Sequence, residues 1–360
     1  MHGQNCRNAC GNPGETTSIR FQRFETRKSL QMVGSTTTQV SSRTLPALVS
    51  DETALFEENF NRRSFAFRHH LADHPLFTIA RLARAAQTIL DSGDQGRFVV
   101  FDAKAFRPDT GFGVSTRHDQ LGNAVRMLAE GRTWIKLSSA NEADPEYAEL
   151  LRQIIRELAS LTGCDLVSDI TWSSLTVFMA SPGIATPYHI DHESNFLFQV
   201  QGEKDVCLFN QDDRDVLSDA EIERFYAGDV EAARYKPDFQ ERGTIFHLTP
   251  GDAVHHPPLA PHWVRNGDGV SVSVSIGFCM RDLDRRAKVY QVNSLLRRAG
   301  LRPAPPGQSR PGDRVKAAGL EIATRRNAVS REDILFSGIQ RVSAPLRAAR
   351  LLRHPGRKDA

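Results

Sequence analysis

The run T-P-Y-H-I-D-H-E-S-N-F-L-F-Q-V-Q-G-E-K-D, residues 186–205, decides the reading of this chain. Successive side chains of a strand point to opposite faces, so His189 and Asp191 share one face while Ile190 takes the other. One imidazole nitrogen and one carboxylate oxygen converging in this way suit a borderline divalent metal. A second His from another strand would complete a two-His-one-carboxylate facial site with positions left open, which fits ferrous iron. The other half comes from G-D-A-V-H-H-P-P-L-A-P-H-W-V-R-N, residues 251–266. Gly251-Asp252 turns the chain into a strand, Pro257-Pro258 breaks it, and His262 opens the next strand, which can return to the same mouth. His255 and His256 compete for the third position, but both precede the break and alternation lets only one of them face inward.

Working outward, short β-branched and aromatic runs surround these stretches: 174–181, 188–190, 195–200, 204–209, 243–248, 252–256, 262–266 and 269–278. Eight such runs punctuated by Gly, Pro and Asp predict a barrel or sandwich. Phe196, Phe198 and Val200 share one strand face and are expected in the core, the alternative parity turning that face toward a cosubstrate. The acidic, partly helical interruption at 217–239 belongs on the surface, where it can shape the entrance together with the N-terminal helices.

Upstream, Leu76, Ile79, Leu82, Ala83 and Ala86 recur at helical spacing, with Asp73 as a cap before Pro75. Residues 97–102 predict a buried strand and 118–129 a second helix. The stripe Leu150, Leu151, Ile154, Ile155 and Leu158 predicts a helix over 144–161, stopped by Gly163. Downstream, 282–299 reads as a helix ended by Gly300, 301–312 as a Pro and Gly linker, and 302–360 as a tail in which basic residues exceed acidic ones by eight. The divisions are 1–45, a disordered leader poor in large apolar groups; 46–165, an α/β region packing on the core; 166–281, the catalytic core; and 282–360, the C-terminal helix, linker and basic tail.

Forty-six Lys and Arg against 43 Asp and Glu leave a net charge of +3, too little for a global field that grips nucleic acid or anionic lipid. No apolar run reaches the roughly 20 residues of a membrane-spanning helix, and the first residues lack the form of a secretion signal. A cytoplasmic protein is expected. Five scattered cysteines predict reduced thiols, and Cys6 and Cys10 with His2 lack a fourth ligand for zinc.

The two motifs together resemble the JmjC-type, cupin-fold 2-oxoglutarate and Fe(II)-dependent hydroxylases, nearest the asparaginyl-hydroxylase branch. That branch carries T-P-x-H-x-D-x-x-x-N-F followed by Q-x-x-G-x-K, matched by Thr186, Pro187, His189, Asp191, Asn195, Phe196, Gln199, Gly202 and Lys204. Its second half, G-D-x-x-x-x-P with a His eleven residues after the Gly, is matched by Gly251, Asp252, Pro257 and His262. The resemblance covers residues 170 to 280. It implies a mostly β fold with flanking helices, built on a double-stranded β-helix (jelly-roll, cupin-like) core. It also implies His189, Asp191 and His262 as ligands of Fe(II), with 2-oxoglutarate and O2 as cosubstrates. Lys204 would meet the far carboxylate of 2-oxoglutarate, with help from Thr186 and Asn195. Simple alternation puts Thr186 on the wrong face relative to His189, so its role requires a bend near Pro187. Where the branch has an Asn on the last strand this chain has Ser275, and Leu259, Ala260 and Pro261 replace the aromatics common before the distal His.

The resemblance implies hydroxylation of an unactivated C–H bond in a peptide side chain or a small metabolite, and a homodimer through the helix at 283–299. Two other readings stand beside it: a cupin using its metal without 2-oxoglutarate, and a non-catalytic binding protein whose basic tail contacts DNA or a partner.

Overall fold

The computed structural model describes residues 47–93, 97–102, 115–116, 128 and 133–323. The leader, Cys6 and Cys10, all of the 118–129 helix except Leu128, and the tail beyond 323 lie outside the described residues. Eight strands form the core: β5 (Ile170–Ala180), β6 (Ala185–His189), β7 (Ser194–Gln201), β8 (Lys204–Leu208), β9 (Thr244–Leu248), β10 (Asp252–His256), β11 (His262–Asn266) and β12 (Ser271–Met280). They divide into a four-stranded sheet, β6-β11-β8-β9, and a larger sheet in which β10-β7-β12-β5 are neighbours, every pair antiparallel. This is a jelly-roll, cupin-like core. The larger sheet is extended by β1 (Phe65–Arg68) beside β10, and by β4 (Thr133–Leu137), β2 (Phe98–Asp102) and β3 (Ser115–Thr116) beyond β5. The N-terminal strands thus lengthen the sheet at both edges.

The sequence of β12 shows why the sheet is buried on both faces. In S-V-S-V-S-I-G-F, Val272, Val274, Ile276 and Phe278 lie in one apolar cluster with Phe196, Phe198, Leu175 and Val177. Helices α1 (Thr53–Asn59), α2 (Ile79–Asp91), α3 (Ala140–Ala143), α4 (Pro145–Thr162) and α5 (Leu166–Asp169) cover that face, with Phe56, Ile154 and Leu158 fully buried against it. The alternate positions Ser273, Ser275 and Gly277 face the barrel interior. Pro145 opens α4, capped by Asp144, and Gly163 closes it at φ 65. Asp73 does not cap the first predicted helix: His74 caps a 3-10 turn at Pro75–Phe77, and Thr78 then caps α2, because Pro75 restarts the chain before the regular helix begins.

The insertion between β8 and β9 carries α6 (Asp219–Tyr226), opened by a Ser218/Glu221 capping box. Its Ile222, Phe225 and Tyr226 pack with Tyr188, Phe209 and Trp263 on the outer face of the smaller sheet. Helix α7 (Arg281–Arg298) closes over it. Tyr290 stacks on Tyr226 with centroids 5.6 Å apart, and Arg297 donates to both oxygens of the buried Glu223 at 2.6 and 2.9 Å. Arg310, Pro311 and Gly312 are not linker but the first turn of α8 (Arg310–Ala323), which buries Ala317 and Leu320 beside α7. No described helix is long and apolar enough to cross a membrane. Cys164, Cys207 and Cys279 are free thiols.

The motif residues Gln199 and Gly202 build the hairpin that delivers Lys204. The Gln199 amide donates to the carbonyls of Gln201 and Gly202 at 2.7 and 2.9 Å, and its oxygen accepts from Ser273 at 2.7 Å. Gly202 sits at φ +70, and a Cβ there would lie 2.4 Å from the Val270 carbonyl oxygen. A Gly202→Ala variant therefore loses about 1–3 kcal/mol of stability in chemical denaturation, because the opposing group is backbone and cannot swing away. An unchanged midpoint would show that this turn is not constrained as described.

Candidate metal centre and its cavity

His189 is the last residue of β6 and His262 the first of β11, and the two stand opposite each other in antiparallel register. Their rings lie 4.1 Å apart between centroids. Asp191 does not reach them by strand alternation, as the sequence suggested. The strand ends at His189, and Asp191 sits on the following turn, held where its carbonyl accepts the Leu259 N–H at 2.8 Å. Its carboxylate still arrives: Asp191 Oδ2 is 3.9 Å from His189 Nε2 and 3.7 Å from His262 Nε2.

Those separations are too long for hydrogen bonds, and with all three ligand atoms within 4.8 Å of one another they are close enough for one ion to draw them together. The imidazoles are set for it. His189 Nδ1 lies 2.8 Å from the Pro187 carbonyl oxygen and His262 Nδ1 lies 3.0 Å from that of Ala260. Each Nδ1–H donates to backbone, which turns the Nε2 lone pair toward the shared point. Burial, the main cause, pushes both rings down to about 4, so they are neutral and able to ligate. Two nitrogens and one carboxylate oxygen fit a first-row divalent ion such as Fe(II).

The centre opens on a cavity of about 360 Å³ whose lining includes Thr186, Asn195, Lys204, His256, Ser275 and Asn266. All the site residues expected from sequence reach this space. The pairing shifts register between His262/His189 and Val264/Thr186, a bulge that resolves the parity conflict and brings Thr186 to the same side as His189. Lys204 begins β8, which adjoins β11 and not β6, so it enters beside the strand of His262. It is 5% exposed and has no hydrogen bond or ion pair among the described residues; desolvation pushes its ammonium down to about 7. Ser275 donates to Asn195 Oδ1 at 3.0 Å, so the two act as a unit.

Other lining residues escaped sequence reasoning. Trp134 and Phe178 stack at 5.4 Å and 17° on neighbouring strands β4 and β5, and Phe225 and Val230 come from the insertion. The described N-terminal helices supply no wall; strand β4 takes that place, because it adds to the sheet edge beside β5.

A second cluster lies just behind Asp191. His192 Nε2 is 2.8 Å from Cys279 Sγ and 3.3 Å from Asp284 Oδ1, Cys279 donates to Asp284 at 3.0 Å, and His192 Nδ1 is 2.8 Å from the Tyr226 hydroxyl. Burial and the Asp284 charge raise the Cys279 thiol far above its ordinary range. Burial opposes ionisation of Asp284, but hydrogen bonds from His192 and Cys279 hold it below the usual carboxylate range. These contacts are closed by protons at hydrogen-bond distance, unlike the open triangle of the first cluster. They tie the residue after Asp191 to α6, β12 and α7.

Residues 79–283, more than half of the chain, match the family model described as a cupin-like domain. The chain belongs to the cupin-like domain family. No curated protein matches its sequence. Among solved structures, the ribosomal oxygenase YcfD from Escherichia coli in complex with cobalt and 2-oxoglutarate aligns at 16% identity and a TM-score of 0.47, covering 78% of this chain and 69% of that one. YcfD with cobalt and succinic acid gives 16% and 0.45, over 80% and 70%. The DMSP lyase DddQ from Ruegeria pomeroyi aligns at 18% and 0.20, over 30% and 38%. Likeness of this degree says nothing of what a cupin-like chain does.

Titration with Mn(II), followed by electron paramagnetic resonance, should give one tight site per chain. It should vanish in His189→Ala and Asp191→Ala and persist in Cys279→Ala. Two equivalents in the wild type, or loss in the cysteine variant, would mean that the two clusters have been told apart wrongly.

Proposed function

We propose that this chain is an Fe(II)- and 2-oxoglutarate-dependent oxygenase that hydroxylates an unactivated C–H bond of a peptide side chain or small metabolite. One observation carries the reading: a buried lysine with no ion-pair partner among the described residues shares a cavity with an open two-His-one-carboxylate triangle. A lone ammonium in a desolvated wall needs an anion, and the far carboxylate of 2-oxoglutarate supplies one. A cupin acting on an uncharged substrate without this cosubstrate would leave Lys204 uncompensated.

His189, Asp191 and His262 would hold the iron, which when bound supplies activation of O2 and the oxidation of the C–H bond. The protein's own part is orientation and dryness. Lys204 fixes the distal end of 2-oxoglutarate by charge. Thr186 offers a hydroxyl beside it. Ser275, by occupying Asn195 Oδ1, leaves the Asn195 amide group as a donor toward bound ligand. Trp134, Phe178 and Phe225 wall the mouth where substrate enters and exclude water once it is filled. The nearest branch by motif is the asparaginyl hydroxylases, with Ser275 in place of that branch's Asn.

Anaerobic protein given Fe(II) and 2-oxoglutarate should develop a metal-to-ligand charge-transfer band, and in air, with its substrate present to take the second oxygen atom, it should form succinate and CO2; His189→Ala and Asp191→Ala should do neither. A band and turnover that survive both substitutions would remove the metal assignment.

Lys204 gives a second test with a definite sign. With its ammonium at about 7 in the free protein, it is largely neutral at pH 8 and must be charged to hold a carboxylate. Binding of 2-oxoglutarate at pH 8 should therefore take up about one proton, and affinity should fall as pH rises above about 7. Calorimetry in buffers of different ionisation enthalpy reads both. Lys204→Met should lose about 2–5 kcal/mol of 2-oxoglutarate binding while melting a few degrees higher, since folding no longer has to strip the proton from a desolvated amine or bury its charge. Equal proton counts with and without Lys204 would contradict the role.

A further inference from the structure

His255 and His256 adjoin on β10, and alternation sends them to opposite faces. His255 is spent on the fold. Its ring stacks on Phe196 with centroids 4.4 Å apart, Nδ1 lies 3.0 Å from the Asn195 carbonyl oxygen, and Nε2 accepts the Asn61 N–H at 3.1 Å. His256 faces the cavity. It is 4% exposed, and neither ring nitrogen has a hydrogen-bond partner among the described residues.

A neutral imidazole carries one N–H and one lone pair, and leaving both unmet in a dry wall is costly, so a group in this state marks a place where a ligand completes the bonding. Its neighbours identify the ligand. The His256 ring meets that of His262 at 4.7 Å and 74°, so it borders the candidate metal centre. It is not one of the three residues whose ligand atoms lie within 4.8 Å of one another there. Lys204 lines the same cavity, close enough for its ammonium to act on the ring electrostatically. Asn266, paired with Lys204 across β11 and β8, presents a side-chain oxygen that is also unmet. The smaller sheet thus carries both imidazoles of the metal triangle and the uncompensated cation, and His256 faces the same cavity from β10 of the larger sheet. A molecule that reaches from ion to lysine fills the space onto which the imidazole opens.

We infer that His256 is a second recognition residue for the dicarboxylate cosubstrate, its ring N–H donating to the carboxylate that Lys204 holds. The inference rests on the 2-oxoglutarate reading above. It makes a specific claim: His256 discriminates 2-oxo acids with a distal carboxylate from those without one.

The test uses full-length protein loaded with Mn(II), titrated anaerobically with 2-oxoglutarate and with 2-oxobutyrate, which lacks the distal carboxylate. His256→Leu should bind 2-oxoglutarate about tenfold more weakly, His256→Gln should recover part of the loss through its amide donor, and both should bind 2-oxobutyrate as the wild type does. Mn(II) affinity, read separately by electron paramagnetic resonance, should stay within about twofold in both variants. Unchanged 2-oxoglutarate affinity overturns the inference. So does a fall in Mn(II) affinity, which would make His256 a ligand of the ion, or an equal loss for both 2-oxo acids, which would make its effect merely structural. Should the Leu variant fail to fold, the Gln variant against wild type carries the same comparison of the two acids. Failure of the wild type itself to bind 2-oxoglutarate is a different result: it removes the cosubstrate reading, and this inference falls with it.

Discussion

The antiparallel pairing of β6 with β11 is the constraint on which the candidate centre depends. It sets the end of one strand against the start of another, so that His189 and His262 face each other before any ligand arrives. Backbone carbonyls two residues upstream of each ring then fix the tautomer and the direction of each Nε2. The carboxylate is less rigidly given. It depends on a turn held from behind by the His192, Cys279, Asp284 and Tyr226 contacts and from the side by Leu259. A change at Tyr226 of α6 or Asp284 of α7, neither of which lines the cavity, can therefore reach Asp191.

The rest of the cavity shows a sheet whose stability is assigned to one face and whose chemistry is assigned to the other. The outward side chains of β7 and β12 pack into the helical layer, with Phe196, Phe198, Val274 and Ile276 fully buried. The inward ones are mostly polar, with Leu197 the apolar member of β7, and Ser273 and Ser275 serve to orient Gln199 and Asn195. Among the described residues, Lys204 and His256 break the rule that buried polar groups are satisfied. Such exceptions are destabilising in isolation, and both open on the cavity beside the metal triangle.

Much of this was legible in the sequence because it follows from alternation and turn chemistry. The V-S-V-S-V-S-I run of β12, the Gln199-Gly202-Lys204 hairpin and the return at Gly251-Asp252 each carry their own signal, and the eight core strands follow from them. What was not legible lies where elements meet. H-x-D reads as alternation and puts Asp191 on a strand, whereas the strand stops at His189 and tertiary contacts do the placing. The position of Thr186 needed a bulge that no residue announces. Trp134 enters the cavity only because β4 happens to pair with β5, and His192 gathers partners from three separate elements. Whether a buried histidine is spent on the fold or left for a ligand, as with His255 and His256, is visible only once its neighbours are known.

The central claim is that two imidazoles and one carboxylate meet at a single ion. Electron spin echo envelope modulation on protein loaded with one equivalent of Cu(II) counts the imidazoles bound to the metal directly. The account predicts the combination lines of two equatorial imidazoles in the wild type and of one in His262→Ala. A wild-type spectrum with one imidazole or none would contradict it.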